Sequence, residues 1–154
     1  YTAAELAMAA AQLPKGAVID ANDPIFEKPG AMPERIAMLC EKSNQQVPQS
    51  PAAYARCIFD SLADAYVKVL AQLQSAANVK INAINIVGGG SANRLLNQLT
   101  ADATGLPVYA GPSEATVLGN IMVQMQSIGL INSLAQGRAI IKNSITQEVF
   151  KPRK

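Results

Sequence analysis

The sequence predicts an α/β fold in which helices pack on a small, mostly parallel sheet. Two short β-favouring runs, residues 83–87 and 106–110, each end at a glycine-bearing corner and each precede a helix start signal. Elsewhere apolar residues recur at steps of three and four, the helical period. Helix, strand, helix, strand, helix with short connections implies parallel strands joined by helical crossovers.

Taken in order, Thr2 and Glu5 form a capping box, in which each side chain satisfies a free amide of the first turn. A helix over 3–13 follows, stopped by Pro14 and Gly16. Residues 14–32 are proline-rich and predict a short strand near 17–20, then irregular chain. Pro33 suits the first turn of a helix that runs to about Lys42. Ser50-Pro51 opens a long helix whose stripe is Ile58, Leu62, Ala65, Val69 and Leu73, widened by Phe59, Tyr66 and Leu70. After the strand at 83–87 comes a helix with Leu95, Leu96, Leu99 and Ala103 inward and Gly105 as its stop. The strand at 106–110 closes on Gly111-Pro112. Ser113 is the expected cap of a helix that gathers Leu118, Ile121, Met122, Met125 and Ile128 on one face and ends at Gly129. Ser133 caps a last short helix before a polar tail.

Three short strands make a thin sheet, and parallel strands normally lie buried on both faces. The remaining strands are therefore expected in sequence not present here. The opening at Tyr1 rather than Met agrees with a piece of a longer or processed protein.

Composition narrows the function. The 154 residues suit one domain, 49% are hydrophobic, and with no Trp the core falls to Ala, Leu, Ile and Val. Net charge is +2 and the Lys and Arg residues are scattered, which gives no nucleic-acid footprint. Lys151, Arg153 and Lys154 read as a solvated basic end. No apolar run approaches the roughly 20 residues that span a bilayer, and no secretory leader is visible. Two cysteines are too few for a secreted disulfide scaffold, so a cytoplasmic protein is expected. The absence of His removes Ser-His-Asp and Cys-His catalysis and His-ligated zinc.

One loop carries chemical promise: Gly88, Gly89, Gly90, Ser91, Ala92 and Asn93, between a strand and a helix. Bare backbone lets a ligand approach closely, and free amides with a positive helix end suit a phosphate. Asn93 could add a hydrogen bond to a base or ribose. A plain tight turn fits the triplet equally well. The loop matches neither GxGxxG nor GxxxxGK[ST]. Asp102 and Glu114, the acids nearest it, read as solvated or capping rather than catalytic. Asp20 and Asp23 lie in the proline-rich loop without an evident partner. Gly119 inside a helix costs about 1 kcal/mol against Ala, which predicts close packing against the glycine loop. Cys40 and Cys57 fall on neighbouring helices and read as reduced, buried thiols that an antiparallel arrangement would bring together.

Three stretches resemble one family. Residues 86–102, Ile-Val-Gly-Gly-Gly-Ser-Ala-Asn-Arg-Leu-Leu-Asn-Gln-Leu-Thr-Ala-Asp, then Gly105-Leu-Pro-Val, then residues 111–120, Gly-Pro-Ser-Glu-Ala-Thr-Val-Leu-Gly-Asn, are similar to the C-terminal domain of the FGGY carbohydrate kinases. Pro29-Gly-Ala-Met-Pro33 and residues 55–62, Ala-Arg-Cys-Ile-Phe-Asp-Ser-Leu, draw the resemblance toward the rhamnulokinase branch, and it covers nearly the whole chain. The chain departs from its relatives at Gly119-Asn120-Ile121, where Gly-Ala-Ala is common.

The resemblance implies part of an actin-like ATPase, with two ribonuclease-H-like domains closing over ATP and a sugar. It implies transfer of the γ-phosphoryl of Mg-ATP to the 1-hydroxyl of L-rhamnulose. It puts Gly89 at the nucleotide, with Gly88, Gly90 and Asn93 beside it. The expected cofactor is ATP with Mg2+, the metal held mainly by ATP and by parts of the enzyme absent here, and the sugar reaches the enzyme through the missing domain. The catalytic Asp, the phosphate loop and the sugar contacts belong to sequence preceding this segment, so residues 1–154 are expected to be an incomplete second domain without catalytic residues or kinase activity of its own. A related disulfide in some members makes an oxidised Cys40–Cys57 pair an alternative. Two further readings stay open: a non-catalytic module that self-associates through an exposed sheet edge, and a kinase for another ketose or a polyol.

Overall fold

A computed structural model describes residues 1–153. Helix α1 spans Ala3–Ala11 and begins with the expected capping box: Thr2 Oγ1 accepts the Glu5 amide at 3.2 Å, and the Glu5 carboxylate accepts the Thr2 amide at 2.7 Å. Helix α2, Met32–Lys42, starts behind Ala31, which sits in the left-handed region at φ 49°. Helix α3, Pro51–Ala77, is capped by Ser50, whose Oγ accepts the Ala53 amide, and ends on left-handed Asn78.

The expected strand at 17–20 does not form. Its backbone is satisfied by side chains instead of a neighbouring strand. Gln45 bonds both the Val18 amide, at 2.8 Å, and the Val18 carbonyl, at 2.7 Å. Ser61 Oγ takes the Ile19 amide at 3.0 Å, and Asp60 Oδ2 takes the Gly16 amide at 2.7 Å. Asp60 also pairs with Arg56, one turn earlier on α3, at 2.8 Å. Arg56 in turn donates to the carbonyls of Leu13 and Ala10, which ties the end of α1 to α3.

Of the predicted stripe of α3 only Ala65 is buried and Leu62 half-buried, so the buried face is mostly another one. Ile58, Val69 and Leu73 are 37%, 44% and 54% exposed, while Ala55, Cys57, Asp60, Ser61, Ala63 and Ala65 are buried. Small side chains on that face let neighbouring chain approach closely, since helix separation follows the side chains at the contact. Gly16 lies against the α3 backbone at Cys57 for the same reason. Ile19, Ile36, Cys40 and Cys57 make one core, with Phe26, Val47 and Tyr54 packed around it. The two thiols belong to the same cluster and are unlinked.

The second core belongs to the sheet. Strand β1 is Ile84–Ile86, helix α4 is Arg94–Thr104 ended by left-handed Gly105, and strand β2 is Val108–Ala110. Strand β3, Glu148–Phe150, arises where a polar tail is expected, because three residues are too few to show a period. β1 and β2 are parallel, with Ile84 opposite Val108, whereas β3 runs antiparallel to β2, with Phe150 opposite Val108. The sheet is thus mixed, in the order β1-β2-β3, with β2 at its centre. Ala101, Val108, Ala110 and Phe150 are buried around it. On α4, Leu96 and Leu99 point inward as expected, but Asn97 and Thr100 take the place expected of Ala103, which is exposed.

Helix α5, Ala115–Ser127, is capped at Glu114 without a side-chain bond, so Ser113 is not its cap. Its apolar face is only partly covered: Leu118, Met122 and Met125 are half-buried, and Ile121 and Ile128 are exposed. Helix α6, Leu134–Ser144, has the expected Ser133 cap and packs on α5 where Met122 and Ile131 meet Gly137. Gly119 has no neighbour where a Cβ would project, so the expected packing against the glycine loop is absent. The basic end is exposed at Lys151 and Arg153, as expected, but Arg153 is also tethered to Asp102 through its amide and guanidinium. Lys154 lies outside the described residues. No helix among the described residues is long and apolar enough to cross a membrane.

Candidate functional site

Two loops meet at the carboxyl ends of the parallel strands. The first leaves β1 through Val87 and Gly88, makes a 3-10 turn over Gly89–Ala92, and enters α4 at Asn93. The second leaves β2 through Gly111 and the cis-peptide-linked Pro112 toward α5. The Gly111 amide donates to the Ile86 carbonyl and the Gly88 amide to the Pro112 carbonyl, each at 2.9 Å, which stitches the loops side by side. Gly88 has φ 76° and ψ −165°, a conformation that side-chain-bearing residues avoid. In open α/β sheets, ligands settle outside the carboxyl ends of the strands.

At Gly89 a Cβ would meet nothing within 4 Å, and Gly89 and Gly90 are exposed. Their amides donate to no acceptor among the described residues. The corner is therefore an open patch of bare main chain with two free donors. The 3-10 turn, rather than the α-helix itself, contains Gly89 and Gly90, so the free amides belong to the turn.

Asn93 is committed to local structure: its Oδ1 accepts the Leu96 amide at 3.0 Å and caps α4. Only its amide nitrogen stays free of such a bond. Ser91 Oγ donates to the Gly88 carbonyl at 2.7 Å, which closes the turn on itself. Asn97, which periodicity would only mark as a helix position, reaches back from α4 and donates to the Ser91 carbonyl at 2.8 Å.

The nearby acids have other tasks. Burial pushes the Asp102 carboxyl up, but hydrogen bonds from Arg153 and Gln98 together outweigh it and hold the group below the ordinary Asp value. Glu114 is exposed at the start of α5. Asp20 accepts the Asn22 amide, and Asp23 accepts the Ile25 amide to cap the 3-10 turn Pro24–Phe26. At the other end of α4, Arg94 pairs with Glu148 and stands 5.6 Å from the Phe150 ring centre, both in β3, while Gln98 in mid-helix donates to the Lys151 carbonyl just past that strand. Asp60 and its Arg56 partner are the polar groups that reading for chemistry passes over; the only local signal is their i, i+4 spacing on a helix.

The donor set of the corner is amides and one hydroxyl. It offers no carboxylate to a hard cation such as Mg2+, which takes oxygen ligands. Among the described residues no three acidic, Cys or His groups come together.

Comparison with known proteins gives a consistent picture. Residues 1–128 match the FGGY family of carbohydrate kinases, C-terminal domain. The chain is 45% identical over 127 residues to the rhamnulokinase of Oceanobacillus iheyensis, a match covering 82% of this chain and 27% of that protein. It is 42% identical over 154 residues to the rhamnulokinase of Enterococcus faecalis, covering 98% of this chain and 31% of that one. Among solved structures it resembles xylulose kinase from Rhodospirillum rubrum, with a TM-score of 0.63 at 19% identity over 97% of this chain and 29% of that one. The ligand-bound xylulose kinase from Lactobacillus acidophilus gives a TM-score of 0.60 at 16% identity, over 99% of this chain and 30% of that one. At such identities the structural likeness speaks for the fold alone. The chain spans under a third of the length of each of these relatives.

Proposed function

This chain belongs to the FGGY family of carbohydrate kinases, and from that premise we propose that it is the later part of the second kinase domain and supplies main-chain surface for ATP. The single observation that carries the reading is the open corner at Gly89, with the free Gly89 and Gly90 amides beside it. Adenosine lies against Gly88, Gly89 and Gly90, where any Cβ would take up the room of the ligand, and the amide nitrogen of Asn93 is left to face it. The parent reaction is transfer of the γ-phosphoryl of ATP to the 1-hydroxyl of L-rhamnulose, a choice supported by the names of the relatives at 42–45% identity. Such an enzyme works in the cytoplasm, where ATP is supplied.

The chain's own contribution is to bind and orient. Bound Mg2+ would neutralise charge on the phosphates. The residues here do not suit it, so it is held by ATP and by protein outside this segment, as is the sugar. No group in the corner can take a proton from a sugar hydroxyl, and the chain by itself is expected to have no kinase activity.

Calorimetry of ADP against the full-length protein carrying these residues tests the reading. Saturable heat is expected from the wild type, and at least tenfold weaker binding from Gly89→Val. A wild type silent toward ADP, or a valine variant that binds as tightly, sinks it. Turnover of ATP and rhamnulose by residues 1–154 alone would sink the division of labour.

A further inference from the structure

Asn97 is fully buried on α4, and half of its amide is unused: Nδ2 donates to the Ser91 carbonyl at 2.8 Å, while Oδ1 has no partner. The Ser91 carbonyl settles the orientation of the amide, because the flipped form would set two oxygens against each other. A buried acceptor without a donor costs stability, whereas leucine keeps the same branched outline in a somewhat larger side chain with no polar atom to desolvate. Packing alone therefore gives no reason for an amide at this position. The one favourable thing Asn97 does that leucine cannot is hold Ser91.

Ser91 in turn holds the glycines. Its amide and its hydroxyl both reach the Gly88 carbonyl, at 3.0 and 2.7 Å. The hydrogen-bonded path runs from the interior of α4 through Ser91 to Gly88, and its far end is the corner whose amides are free. Without the clamp, a stretch of three glycines has little to confine it, since glycine loses more conformational freedom on ordering than any other residue.

We infer that Asn97 is a positioning residue for the corner, keeping it in the shape that receives nucleotide at the expense of a buried, unpaired oxygen. The inference rests on the nucleotide reading of the corner. Its mechanism is preorganisation: a loop already ordered loses less freedom when ligand arrives.

Asn97→Leu in the full-length protein separates this role from a structural one. The variant is expected to melt no lower than wild type, to bind ADP about tenfold more weakly, a change of about 1.4 kcal/mol, and to raise KM for ATP more than it lowers kcat. Amide hydrogen exchange is expected to speed up across residues 88–93 and stay unchanged in α1. Unchanged exchange over 88–93, or ADP affinity within twofold of wild type, overturns the proposal; so does a fall in melting temperature with the KM-to-kcat split absent. Should the leucine variant not fold, Asn97→Ala removes the same donor, and exchange over 88–93 decides. Absence of ADP binding by the wild type would sink the nucleotide reading and leave the clamp to the exchange measurement alone.

Discussion

Asp60, in the middle of α3, accepts the backbone amide of Gly16, 44 residues earlier, at 2.7 Å. The same oxygen takes Arg56 Nε at 2.8 Å, and the two side chains are only 4% and 12% exposed. Removing the carboxylate leaves a guanidinium and a main-chain amide both short of a partner. Loss of one member of a buried pair costs about 3–5 kcal/mol. Asp60→Ala is thus expected to lose about that much stability in urea titration, and a loss below about 1 kcal/mol would show that the lock does not hold the segment.

Two buried or half-buried glycines contrast in what an added methyl would meet. At Gly16 it would stand 3.2 Å from the Cys57 amide nitrogen and 3.3 Å from its Cα, which are main chain and cannot turn aside. At Gly137 it would stand 2.7 Å from Met122 Sδ, the end of a flexible side chain. Overpacking typically costs about 1–3 kcal/mol, and alanine gains about 1 kcal/mol over glycine inside a helix. Gly16→Ala is expected to destabilise by about 1–3 kcal/mol and Gly137→Ala by less than about 1 kcal/mol. Thermal melts of the pair check the order, which a reversed result would refute.

Burial pushes the Cys57 thiol up to about 12, with Cys40 beside it adding to the effect, and burial raises Cys40 as well. Both thiols are protonated and shielded at neutral pH. A thiol reagent at pH 8 is expected to find neither in the native protein and both in denaturant; a count of zero in denaturant would reveal a disulfide instead. The linkage has a definite sign. A folded-state value above the unfolded one gives stability that is complete below about pH 9 and declines as pH rises toward about 12. Cys57→Ala should flatten that decline in the urea midpoint.

The Asp102–Arg153 contact has the opposite sign and a smaller reach. The folded carboxyl lies below its ordinary value, so its contribution is present above that value and is lost as pH falls through the folded one. Asp102 is 25% and Arg153 66% exposed in their side chains, and exposed pairs contribute about 0–1 kcal/mol. Arg153→Ala is expected to shift global stability by less than about 1 kcal/mol while making the chain after β3 a faster target for carboxypeptidase. Equal digestion rates would show that the tail is held by β3 pairing alone.

The amino-acid sequence by itself determined whatever depends on neighbours a few residues apart. The Thr2–Glu5 box, the Ser50 and Ser133 caps, the Gly105 stop, the two parallel strand cores and the glycine corner between β1 and α4 are of this kind. Each is a turn's length of chain in which spacing and chemistry coincide. The corner's residues and its bare backbone were legible, but its anchorage was not.

Only the tertiary structure decided which face of α3 is buried, because that depends on how closely α1 and α4 approach its small residues. It replaced a strand at 17–20 by bonds from Gln45, Asp60 and Ser61, which lie 27 to 44 residues away. It placed β3 beside β2 and singled out Asn97 beneath Ser91. Hydrogen bonds and burial between distant segments leave no periodic mark along the chain; they exist only once folding has brought the partners together.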